Sequence, residues 1–328
     1  TAEERSVYLQ MITWGIVGNS HDASIAVFDN QELKWAGLAK DFSMVPNDPH
    51  LNKKLIRRAL RYGKPNKVVW YERPFLKTLR QFWAGQGWLG QENNINSYLA
   101  KFGIICPVYY TQHHLSHAAY AYYTQPQDDC AVICLDSIGE FETLTVWHGK
   151  DNKLKKIHSQ GYPHSLGLFY SAMTQRLGLQ AQRDEYLVAP MGLNGNKDKY
   201  FFTMLQELVE TRGMGIDPYI RMRENMHRGL NWWKPELTTQ QDMYDLAAAT
   251  QAVFEYCVIN IAAWTKTNTG SKHLALAGGG ALNKQAVELL TNWDIIHVPK
   301  NPGDPGSCIG AVLAKTKQRI TLDKQWHR

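Results

Sequence analysis

A strand-turn-strand-strand order occurs twice along this chain, and that repetition narrows the folds open to it. Ile12 to Val17 reads as a strand, Gly18 to Asp22 as a tight turn, and Ser24 to Phe28 and Leu33 to Leu38 as two further strands. A helix-like stretch follows from Pro49 to Tyr62, then a buried strand at Lys67 to Tyr71 and a helix over Pro74 to Trp83. After the polar, proline-containing stretch Gln125 to Asp129 the order recurs. Cys130 to Leu135 is a strand, Asp136 to Glu140 the turn, and Glu142 to His148 and Leu154 to Ser159 the next strands. Helices then dominate, at about Leu166 to Leu177 and Gln241 to Thr267. The expectation is a duplicated α/β fold, with residues 11–128 as the first half and 129–328 as the second. A cleft between the halves would receive both turns. Residues 1–10 precede Met11 and are expected to be a remnant of expression, outside the fold.

At 328 residues, 44% hydrophobic and 20% charged, the chain has the composition of an ordinary soluble protein. Its five cysteines form no Cys-x-x-Cys pair, which argues against a disulfide framework and for a reducing cytoplasm. No secretory signal is visible at the start. The longest apolar run, near Val253 to Trp264, contains Glu255 and Asn260 and reads as too short and too polar to span a membrane, so no membrane partner is expected. A formal net charge of +6 permits an anionic partner without demanding one.

The densest chemistry lies in His113-His114-Leu115-Ser116-His117. On a helix, His113 and His117 stand at i and i+4 on one face, half of a metal site. The bland alternative is a cluster of surface or helix-start histidines. Gly278-Gly279-Gly280 follows the strand Lys272 to Ala277 and precedes a helix expected over Ala281 to Leu290. Such a junction lets backbone N–H groups approach an anion, or is simply a tight turn. It does not match the dinucleotide pattern Gly-x-Gly-x-x-Gly. The strand Ile295 to Val298 leads to a loop in which Asp304 stands between Gly303 and Gly306, ahead of a helix from Cys308 to Ala314. Asp304 is either an oxygen ligand or a turn and N-cap residue. Cations and aromatics interleave from Arg57 to Gln91, including Trp70, Tyr71, Trp83 and Trp88, and again from Tyr219 to Lys234. That pattern suits nucleic acid, or a core with a solvated cationic face.

Taken in order, seven stretches resemble one family. They are His21-Asp22-Ala23-Ser24, His113 to Ala119, Leu135-Asp136-Ser137-Ile138-Gly139-Glu140, Gly167-Leu168-Phe169-Tyr170, Glu185 to Leu193, Leu276 to Asn283, and Gly303-Asp304. The chain resembles the Kae1-like domain of the O-carbamoyltransferases of antibiotic tailoring and nodulation, and more distantly the tRNA threonylcarbamoyl transferases. The resemblance implies the actin-like, ribonuclease-H-like fold of that ATPase superfamily.

It also implies roles. His113, His117, Asp136 and Asp304 match the metal ligands, for Fe, Mn or Zn. His21 matches the residue beside the acceptor hydroxyl, with Asp22 orienting it or holding the turn. Gly278, Gly279, Gly280, Asn283 and Gly303 match the nucleotide- or phosphate-binding loops, with ATP and Mg as the further expected ligands. The implied reaction moves a carbamoyl group from carbamoyl phosphate, directly or through carbamoyl-adenylate, to a hydroxyl. Two departures stand out. A compact form lacking the YrdC-like second domain is expected, and with it a separate carbamoyl-activating chain. The family's acidic-Arg-Phe stretch reads Ala39-Lys40-Asp41-Phe42-Ser43 here. The compact form also resembles carbamoyltransferases of bacteriophages, which makes a 5-hydroxymethyl pyrimidine in DNA or a nucleotide the leading acceptor, in the cytoplasm of a bacterium or phage-infected host. A small natural product, a tRNA-type transfer and a non-catalytic nucleotide-binding scaffold stay open as alternatives, and a homodimer is allowed.

Overall fold

The computed structural model describes residues 11–83, 94–211, 217–322 and 326. Trp88 and the suspected remnant at 1–10 lie outside them. The chain divides into two compact units, one holding the chain to Thr124 together with the segment from Asp304 on, the other Gln125–Gly303.

In the first unit, β1 (Ile12–Val17), β2 (Ser24–Asp29) and β3 (Glu32–Leu38) form an antiparallel meander. After the short helices α1 (Lys40–Ser43) and α2 (Lys53–Leu60), β4 (Lys67–Trp70) pairs parallel to β1. Helices α3 (Pro74–Trp83) and α4 (Ile95–Ala100) precede β5 (Val108–Tyr110), which pairs parallel to β4, and α5 (His113–Tyr123) completes the run. The strand order is β3-β2-β1-β4-β5. Every residue of β1 is buried, as expected of a central strand covered on both faces.

The second unit repeats this plan. Strands β6 (Cys130–Leu135), β7 (Glu142–Lys150) and β8 (Lys153–Gly161) form the meander, followed by α6 (Leu166–Arg176), α7 (Val188–Gly192) and α8 (Phe201–Glu207). A small hairpin of β9 (Val209–Thr211) and β10 (Ile220–Met222) precedes the long helix α9 (Gln240–Thr269). Strand β11 (His273–Ala277), the short α10 (Lys284–Glu288) and β12 (Ile295–His297) then extend the sheet in parallel, giving the order β12-β11-β6-β7-β8. The two orders are the same path, so the duplication read from the sequence is present in the fold.

Three expectations need correction. Helix α11 (Ser307–Thr316), assigned by position to the second half, packs on β1 and α5 of the first. Glycines at both contacts permit it: a Cβ on Gly15 would fall 1.8 Å from the Cys308 carbonyl oxygen, and one on Gly310 would fall 1.9 Å from that of Ser116. Secondly, the apolar stretch read as too short to span a membrane lies within α9, whose bounds match the helix expected at about Gln241 to Thr267. By length and composition this helix is apolar enough to cross a membrane, yet 72% of its apolar window is buried within the protein. Its ends are set locally, by a capping box between Thr239 and Asp242 and by Gly270 at φ 66°. Thirdly, the glycine run opens no long helix. It leads into a single 3-10 turn, Gly279–Leu282, before the five-residue α10.

All five cysteines are unpaired thiols, and Cys106 alone among them is not buried. Burial pushes the Cys257 and Cys308 thiols up to about 12 and that of Cys134 still higher. Since the thiolate is the reactive form, Ellman's reagent should titrate one thiol in the native protein and five after denaturation, and Cys106→Ser should abolish the native reaction.

Candidate functional site

Ten of the eleven residues of α5 are buried, so this helix is a core element without a solvent face. That overturns the surface reading of its histidines: His113, His114 and His117 are 3%, 0% and 0% exposed. The i, i+4 spacing brings His113 Nε2 and His117 Nε2 to 3.0 Å. Asp304, on the turn leading into α11, places Oδ1 3.2 Å from His113 Nε2 and 3.4 Å from His117 Nε2. His114 stays out of this convergence. All three converging residues belong to the first unit.

The spacing suits a metal ion. Ligands about 2.1 Å from a centre stand roughly 3.0 Å apart in octahedral and about 3.4 Å apart in tetrahedral geometry. The three observed separations fall in that range. Two imidazole nitrogens and a carboxylate oxygen packed this closely can share either protons or a metal cation between them. The donor set of two His and one Asp fits Zn, Fe or Mn.

Behind these atoms stand residues that the sequence reading passed over. Ser20 Oγ donates to Asp304 Oδ2 at 2.5 Å. Ser307 Oγ lies 3.2 Å from His117 Nδ1. Glu72 Oε2 is 3.6 Å from His113 Nδ1, an ion-pair distance beyond a hydrogen bond. Lys77 Nζ binds Glu72 Oε1 at 2.8 Å and the Asn19 carbonyl at 2.9 Å. Burial alone would raise the Glu72 carboxyl, but the Lys77 ammonium and His113 hold it below the usual carboxylate range. Burial, with Glu72 adding to it, pushes the Tyr71 hydroxyl well above its ordinary value. The one sequence signal for this layer was an acid at the end of a buried strand, Glu72 after Trp70 and Tyr71.

His21 is exposed at the tip of the β1–β2 turn. Asp22, at φ 53°, meets Lys40 Nζ at 3.1 Å, so its carboxylate holds the turn to the start of α1. Lys40 belongs to the stretch in which this sequence departs from the family pattern.

In the second unit, Asp136 directly follows β6, and its Oδ1 accepts the Gly279 N–H at 3.3 Å. Gly278 takes φ 85°, and a Cβ there would fall 2.3 Å from the Leu135 carbonyl oxygen. The glycine run therefore lies directly on the strand end that carries Asp136. Gly303 is buried in the turn before Asp304. Asn283 Oδ1 caps α10 through the Ala286 N–H at 3.1 Å and receives Gln251 Nε2 at 3.0 Å, while its Nδ2 donates to Gln251 Oε1 at 2.9 Å. These bonds give Asn283 a structural task that the sequence reading had not assigned it.

The interleaved aromatics divide between core and surface, with Phe75, Phe82, Trp83 and Trp232 all more than half exposed. Trp70, Tyr71 and Trp233 are buried, whereas Lys53, Lys54, Arg57, Arg61 and Lys64 face solvent on and after α2.

The family model for the carbamoyltransferase N-terminus matches residues 68–313. The chain belongs to that family. Among curated relatives, an uncharacterized protein of Synechocystis is 27% identical, the match covering 94% of this chain and 58% of that protein. Nodulation protein NolNO of Sinorhizobium fredii is 27% identical over 64% of this chain and 31% of its own length. Nodulation protein NolO of Bradyrhizobium diazoefficiens is 28% identical over 61% and 37%. The chain thus spans less than two thirds of these relatives. Among solved structures, the activator of 2-hydroxyisocaproyl-CoA dehydratase from Clostridium difficile, with bound ADPNP, aligns at a TM-score of 0.52 and 12% identity over 95% of this chain and all of that one. HypF of T. kodakarensis aligns at 0.52 and 11% identity over 94% of this chain and 48% of its own. These likenesses establish the actin-like ATPase fold.

Proposed function

We propose that this chain carries the transferase site of an O-carbamoyltransferase: it moves a carbamoyl group from carbamoyl phosphate, or from carbamoyl-adenylate made from it, to an alcohol. The observation that carries the reading is the convergence of His113, His117 and Asp304 in a chain of the carbamoyltransferase family. Asp136 joins as a further ligand on the family resemblance. A bound Fe, Mn or Zn would neutralise donor phosphate oxygens and polarise the carbamoyl carbonyl.

The chain's own residues then have defined tasks. The imidazole of His21, exposed on its turn, accepts the proton of the acceptor hydroxyl as that oxygen attacks the carbamoyl carbon. The carbon–oxygen bond to phosphate breaks, and phosphate leaves with the bonding pair. Asp22 and Lys40 keep the turn in place. The backbone amides of the Gly278–Gly280 run offer the phosphate contact, with ATP and Mg used if adenylation precedes transfer. His21→Ala should leave metal and donor binding intact and slow transfer by roughly a hundredfold or more; normal turnover in that variant would exclude His21 as the base.

The acceptor we favour is a hydroxymethylated pyrimidine in DNA. One observation supports a polyanion: Lys53 to Lys67 contains seven cations and no acid, in a chain whose net charge is +6. Five of the seven are exposed. Nucleic-acid binding through such a face weakens steeply with salt. The test is product mass spectrometry after incubation with carbamoyl phosphate and Mn or Fe, with and without ATP. The acceptors are duplex DNA bearing 5-hydroxymethylcytosine and, separately, an aminoglycoside. Carbamoylated nucleosides would establish both reaction and acceptor. Carbamoylated aminoglycoside alone would keep the transferase and replace the acceptor. Without carbamoylation or donor consumption, even on adding a carbamoyl-activating chain, the catalytic reading fails.

A further inference from the structure

Each of the three converging ligands has a second polar side chain at its far atom. Asp304 turns Oδ2 to the Ser20 hydroxyl and Oδ1 to the two imidazoles. His117 meets Ser307 through Nδ1 and the other ligands through Nε2, and Ser307 and His117 are both fully buried. His113 faces Glu72 through Nδ1, and both side chains are under 5% exposed. The same division recurs three times, with support on one atom and convergence on the other. A carboxylate facing Nδ1 favours the tautomer whose lone pair sits on Nε2, and the Ser307 hydroxyl favours the same tautomer when it accepts from His117 Nδ1–H.

The supporting residues come from three separate parts of the fold. Ser20 lies on the β1–β2 turn, Glu72 just beyond β4, and Ser307 at the start of α11. Two of these parts are tied together by Lys77, which bonds both Glu72 and the carbonyl of Asn19, the neighbour of Ser20. The turn carrying Ser20 also carries His21.

We propose that Ser20, Ser307 and Glu72 are positioning residues of the metal centre. They aim Asp304 Oδ1, His117 Nε2 and His113 Nε2 at one point, and Lys77 couples that layer to the turn bearing His21. The proposal rests on the metal reading of His113, His117 and Asp304. Outer partners of this kind typically change metal affinity by about 10–100-fold. A merely structural role would alter stability and leave the ligand field alone.

The test is a Co2+ titration of the whole protein, read in the visible absorption of the bound ion, with thermal melting alongside. Ser20→Ala, Ser307→Ala and Glu72→Gln should each bind Co2+ about 10–100-fold more weakly than wild type, with a shifted spectrum, and Ser20→Thr should restore both. His117→Ala is the control. If His117→Ala loses Co2+ while the folded outer variants keep wild-type affinity and spectrum, the positioning proposal is overturned and the metal site stands. If His117→Ala still binds Co2+ normally, the metal reading falls and takes the proposal with it. The three substitutions lie on different elements, so one that fails to fold leaves two to decide the matter.

Discussion

His117→Ala is expected to abolish metal binding and carbamoyl transfer together, while His114→Ala keeps both. The two residues are near neighbours on one helix and both fully buried, so composition, burial and helix propensity do not separate them. Direction does. His117 lies one turn from His113 and presents Nε2 to both His113 and Asp304, whereas His114 is rotated off that face. Removing His117 leaves two of the three converging groups and should weaken binding beyond the roughly 10–100-fold typical of losing an outer partner. Elemental analysis of purified protein, paired with the transfer assay, checks this. Full metal content in His117→Ala would remove the site. Loss of metal with normal transfer would separate the site from the chemistry.

Local pattern and non-local contact were legible to different degrees. The strand-turn-strand-strand order could be read twice because strands, tight turns and helices leave short-range signatures, and both sheets follow it. The pair His113 and His117 was legible because four residues on a helix fix a common face. Nothing local announced that α5 is buried, since a helix covered by neighbours and one facing solvent can carry the same short motif. Ser20 and Ser307 were invisible for a similar reason: serine is among the residues ordinarily found in turns and at helix starts, and only the fold brings them to a ligand. Glu72 gave a weak signal, as an acid closing an apolar strand. Asn283 is read as a nucleotide contact because it ends the glycine-rich stretch, and nothing local signals that its amide also meets Gln251 from a helix more than thirty residues earlier. The return of α11 to the first unit depends on small residues meeting across long sequence separations, which no periodicity records.

That return is the basis of the second large effect. Gly310→Ala should destabilise the first unit by about 2 kcal/mol or more, and weaken metal binding as well. Two terms compete. An alanine within a helix gains about 1 kcal/mol over glycine, which alone would make the substitution favourable. Against it, the new methyl group would stand 1.9 Å from the Ser116 carbonyl oxygen and 2.9 Å from the Tyr120 Cβ. The oxygen belongs to the backbone of a buried helix and has no rotamer through which to yield. Relief requires α11 to move off α5 by an ångström or more, and overpacking of a tight core generally costs about 1–3 kcal/mol and sometimes more. The second term wins. The displacement would also carry Ser307 away from His117 and disturb Asp304 at the preceding turn, so stability and metal affinity should fall together. Gly103→Ala supplies the contrast, because Gly103 takes φ 74° with nothing near its Cβ position. Its cost should be confined to the backbone strain of a left-handed alanine, about 1–2 kcal/mol, with metal affinity unchanged. Thermal melts and metal titrations of the two variants separate these cases. A Gly310→Ala protein as stable as wild type would show that α5 and α11 do not approach this closely, and the ligand geometry built on their contact would have to be redrawn.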